Sequence, residues 1–134
     1  MFGKSARGHR TIRDVQDAVD DVYVLGLRES TRPEAWSLVF MAGEDDPDLD
    51  SYCIVVDPGQ ATTYGGVTRC AIDEQTPPVL RLGFTSEAAE TLGLPADTTL
   101  TLDIGADSLA LLRRGLHRVL TSGHPGDLPA ALSL

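Results

Sequence analysis

The chain has 134 residues, 42% hydrophobic and 23% charged, the balance of a globular domain and not of a disordered or fibrous chain. Its longest apolar stretches, residues 38–42 and 53–56, fall far short of the roughly 20 residues that cross a bilayer as a helix, and no apolar core of a secretory signal follows the basic start, so a cytoplasmic protein is expected. Eleven basic against 20 acidic residues give a net charge of −9; because Lys4, Arg7, Arg10 and Arg13 all lie in residues 1–13, the remainder carries −13, which disfavours nucleic acid and anionic membranes and suits a basic protein partner.

Residues 1–13 lack a periodic apolar face and are expected as a flexible basic arm. Residues 14–21 place Val15 and Val19 four apart, which allows a short helical turn. Residues 22–29 alternate as a strand that ends in the turn cluster Ser30-Thr31-Arg32-Pro33. Residues 35–42, with Trp36, Val39 and Phe40, form a buried strand. The acidic stretch from Glu44 to Asp50, interrupted by Pro47, is a solvated loop before the strand of residues 52–56. Asp57-Pro58-Gly59-Gln60 suits a type II turn.

Residues 62–72 resume as a strand interrupted by Gly65-Gly66, a bulge or bend. Residues 79–84 and 98–104 alternate as strands, separated by a short helix with Thr85 or Ser86 at its N-cap and Gly93 at its end. The last element is an amphipathic helix starting at Asp107 or Ser108, its stripe formed by Leu109, Leu112, Leu116, Val119 and Leu120, its stop at Gly123. Residues 123–134 should be irregular, with Leu128, Leu132 and Leu134 available for docking. The expectation is one α+β domain over residues 14–122: a mainly antiparallel sheet of about six strands with both helices packed on one face.

Nothing in the spacing builds a nucleophilic site, a phosphate loop or a dinucleotide fingerprint. An enzyme would need a hidden centre around His117, the only histidine placed on the scaffold. Cys53 and Cys70 fit strand cores as free thiols. Asp46, Asp48, Asp50 and Asp57 match positions 1, 3, 5 and 12 of a calcium loop, but Ser51 stands where the turn glycine belongs and Asp57 where a bidentate Glu belongs; a calcium-responsive module is thus an alternative, as is a structural subunit of a larger assembly. No zinc spacing occurs, and no metal or other cofactor is expected. Glu44, Asp45, Asp46, Asp48 and Asp50, beside strands carrying Trp36, Phe40 and Tyr52, suit recognition of a basic protein.

Asp50-Ser51-Tyr52-Cys53-Ile54, then Tyr64-Gly65-Gly66-Val67, Leu80-Arg81-Leu82, the run from Glu87 to Leu94 and a closing Leu-rich helix together resemble the immunity protein 10 family of bacterial polymorphic toxin systems, over about residues 20–122. That resemblance implies a non-enzymatic antidote that binds a cognate toxin domain. It implies no catalytic residue, and gives Tyr52, Tyr64, Gly65 and Gly66 a structural role, the glycines as a bulge with the tyrosines packed beside it. Many such toxins are nucleases with basic surfaces, which an acidic inhibitor would cover.

Overall fold

Short apolar runs separated by turn residues build strands, and their pairing decides which sheet each one joins. The computed structural model describes residues 9–19, 22–43, 52–57, 59–122 and 129–134. Five strands form an antiparallel meander, β2 (Asp14–Val19), β3 (Val22–Arg28), β4 (Ser37–Gly43), β5 (Cys53–Asp57) and β6 (Ala61–Tyr64), in spatial order β2-β3-β4-β5-β6. A second set makes the other sheet, in order β1-β9-β8-β7-β10: β1 (His9–Ile12), β7 (Val67–Asp73), β8 (Val79–Phe84), β9 (Asp97–Leu102) and β10 (Ala131–Ser133). Its central strands are antiparallel, while β1 and β10 add in parallel at its two edges.

The architecture is therefore α+β, but with ten strands in two sheets among the described residues where a single sheet of about six is expected. Two physical reasons account for the difference. Gly65-Gly66 does not interrupt one strand; it is the corner at which the chain leaves the meander for the other sheet, with Gly65 N–H donating to the Tyr52 carbonyl and Thr85 N–H to that of Gly66. At φ +98° Gly66 has a backbone that L side chains rarely adopt, and a Cβ there would sit 2.6 Å from the Ala88 Cβ. The other extra strands, β1, β2 and β10, are edges with one or no fully buried residue each, so their local pattern is weak and the ladder partner defines them.

Residues 9–12 are thus a strand and not part of an arm. Ile12 is fully buried, and Arg10 ties the sheets together by pairing with Glu29 at 2.8 Å and stacking over the Trp36 ring. Residues 14–19 are extended and not helical, and residues 131–133 pair with β7 where an irregular tail is expected; Leu132 and Leu134 pack against the core, while Leu128 lies outside the described residues.

The two helices behave differently. α1 (Ser86–Leu92) follows the expectation: the Thr85 hydroxyl accepts from Ala88 N–H at 3.1 Å and Gly93 ends it in the left-handed region. α2 (Ala106–Leu120) buries Leu112, Leu116, Val119 and Leu120 as expected, but Leu109 only partly. Its N-cap is Gly105, and Asp107 serves in the first turn instead, favourable at the positive end of the helix dipole. Thr121 caps its end; Gly123 lies outside the described residues. The helices cover different strands. α2 crosses β2, β3 and β4, whereas α1 sits against β6 and β8. One apolar core joins the inward faces of both sheets with both helices.

Candidate functional site

The meander turns two faces of different composition to its surroundings. Residues directly opposite on an antiparallel ladder project to the same side. Leu25, Phe40 and Ile54 are such partners and are all fully buried beneath α2 and the other sheet. The alternate positions project outward. Ala18, Val24, Met41, Cys53 and Tyr64 are successive partners across all five strands, one unbroken row on the outer face. The next row is Gln16, Gly26, Val39, Val55 and Thr62, and the third is Asp14, Arg28, Ser37 and Asp57. The outer face is thus apolar near one end of the sheet and polar at the other.

The apolar end is the one at which the chain leaves β2 and β4. The β2–β3 connection, with Asp20 and Asp21, and the β4–β5 connection, with Glu44, Asp45, Asp46, Asp48 and Asp50, both leave the sheet at that end by its up-and-down order. All seven carboxylates lie outside the described residues. On β2, Asp17 accepts the Tyr23 hydroxyl at 2.9 Å, while Arg118 of α2 stacks over the Tyr23 ring. Burial and this carboxylate hold the Tyr23 phenol protonated, its pKa pushed up to about 12.

The aromatics expected beside the acidic loop are elsewhere. Trp36 stands at the opposite end of β4 under Arg10, and Phe40 points into the core. Tyr52 is 2% exposed and its hydroxyl accepts from Val67 N–H at 3.0 Å, holding the corner at Gly65-Gly66. Tyr64 is 63% exposed and projects outward, not packed beside that corner; the ladder irregularity lies just beyond it, between Val67 and Arg69. The outward row itself escapes a sequence reading, because strands apolar at every position read as buried on both faces. The available signal is the run VYVLGL beside SLVFMAG and CIVV, each apolar at odd and even positions alike.

The other sheet turns a different surface outward. Arg69 pairs with Asp97 at 2.8 Å across Gly83, and Arg81 pairs with Asp73, around a hollow of about 380 Å³ floored by Ala71, Gly83, Thr99 and Ser133. His117 is exposed on α2 beside Arg113, Arg114 and Leu134. Burial pushes the Cys53 thiol up and that of Cys70 up to about 12, which keeps both protonated and poorly nucleophilic. Among the described residues, no group of three or more His, Cys, Asp or Glu converges as a metal site. Asp57, the last position of the calcium template, ends a regular strand; Asp46, Asp48 and Asp50 lie outside the described residues. No helix among the described residues is long and apolar enough to cross a membrane.

No curated protein and no solved structure matches the chain. A family model described as Immunity protein 10 matches residues 9–110, from β1 into the first turns of α2. With both sheets' central strands and α1 inside that match, the chain belongs to the immunity protein 10 family.

Proposed function

We propose that this protein is an antidote that binds a cognate toxin domain in the cytoplasm and neutralises it non-covalently, without catalysis of its own. The observation that carries this reading is the family match over most of the folded chain. The charge distribution gives it a mode. Glu44, Asp45, Asp46, Asp48 and Asp50, five carboxylates within seven residues of sequence, form a source of negative potential that draws in a basic toxin surface.

The test starts from the polypeptide that co-purifies stoichiometrically with this chain. Expressed alone it should arrest growth, and co-expression of this chain should restore growth; a chain that neither captures such a polypeptide nor protects from it is not an antidote. Replacing Asp45, Asp46, Asp48 and Asp50 together by Asn should then slow association and flatten its salt dependence. An unchanged association rate and salt slope would remove these carboxylates from the contact.

A further inference from the structure

We infer that the outer face of the meander, centred on Val24, Val39, Met41 and Val55, is the surface that seats the toxin, against an apolar patch rimmed by basic side chains. This rests on the antidote reading and adds to it the face and the partner's surface chemistry.

Three observations converge on this face. First, strands β3, β4 and β5 are apolar on both sides, although an antiparallel sheet with one solvated face ordinarily alternates apolar and polar residues. Second, both helices and the other sheet bury only the inner side: Gly115 of α2 lies so close to Tyr23 and Leu25 that a Cβ would meet them within 3.0 Å, and Ala88 and Leu92 of α1 enter the same core. The outward residues keep partial exposure on every strand, rising to 39% at Val22 and 63% at Tyr64. Third, the other sheet solves the same problem conventionally, with threonines and paired arginines outward, so an apolar outer face is no general property of this fold.

Charge selects the occupant. A chain of net charge −9 repels a second copy of itself and attracts a partner that carries basic groups. A partner with basic groups around an apolar centre satisfies both features, the centre excluding water on the apolar face and the basic rim answering the chain's net negative charge. Met41, unbranched and polarisable, stands in the middle of its row and adapts to the partner's contour.

The test measures binding of the captured toxin to Met41→Lys and Tyr64→Lys, with Thr99→Lys on the other sheet as control and unfolding of each variant followed by circular dichroism. Tyr64 is exposed enough that its variant folds whatever befalls Met41→Lys. Expected is at least a roughly hundredfold weaker Kd for Met41→Lys, about tenfold for Tyr64→Lys, and no change for Thr99→Lys. Unchanged affinity in both face variants, with toxin still captured, overturns this inference and leaves the antidote reading standing. Failure of the native chain to capture or neutralise a toxin overturns both. Sedimentation equilibrium of the free chain should show a monomer; a dimer dissolved by Tyr64→Lys would assign the face to a second copy and overturn the inference.

Discussion

The two faces of the meander are built from the same kinds of residue and meet different fates. Inward, Leu25, Phe40 and Ile54 have no exposure because α2 and the other sheet cover them. Outward, Val24, Val39 and Val55 have similar side chains on the same strands and remain partly open. Hydrophobic character therefore does not distinguish core from open surface here; the placement of α2 does. On the opposite sheet the distinction is visible in composition, because Arg69, Arg81 and Asp97 occupy its outward positions.

The comparison breaks most decisively from the inner side. Leu116→Ala should cost about 2 to 5 kcal/mol, since Leu116 is fully buried on the helix that packs against the meander and its truncation leaves a cavity there. An unchanged denaturant midpoint would mean that α2 does not hold the inner face shut. Gly66→Ala should cost on the order of 1 to 3 kcal/mol, because the left-handed backbone and the contact with Ala88 both oppose a methyl at the corner between the sheets. A melting temperature equal to that of the native protein would show that the corner tolerates rearrangement.

Alkaline titration sharpens the picture at the edge of α2. Tyr23 releases its proton near pH 10 when unfolded but only near 12 when folded, so the unfolded state gains from ionisation first. The Tyr23 contribution to stability should be at its full value below pH 10 and be lost as pH rises toward 12, and Tyr23→Phe should flatten that part of the fall. Cys70, also raised to about 12, adds to the decline from about pH 9 and is unaffected by that substitution. A profile of the same slope in Tyr23→Phe would remove the Asp17–Tyr23 contact from the folded state. The smallest effect belongs to the outer side of the other sheet. Arg69→Ala breaks only an exposed ion pair and should change stability by less than about 0.5 kcal/mol. A larger loss would show that this polar face carries more of the fold than its exposure suggests.

The elements most legible in the residues were those that carry their own signals. Thr85 and Gly93 bracket α1 as their side-chain and backbone chemistry requires, and the three- and four-residue spacing of Leu112, Leu116 and Leu120 defines the buried stripe of α2. β1 and β10 were illegible because a short edge strand is stabilised by its neighbour, through hydrogen bonds that no local pattern records. The candidate site divides in the same way. Clustered carboxylates between Glu44 and Asp50 are plain from composition, whereas the inward turn of Phe40 and the outward row through Met41 depend on register.

The amino-acid sequence by itself thus determines the acidic balance, the two helices, the central strands and the family to which they belong, since each follows from local pattern, charge or a run of matched residues. Tertiary structure alone decided that Gly65-Gly66 is a passage between two sheets, that residues 9–12 close an edge, and that only one side of an evenly apolar meander is covered. Those outcomes depend on contacts between segments far apart in the chain, where burial is set by what packs on a face and not by the residues that compose it.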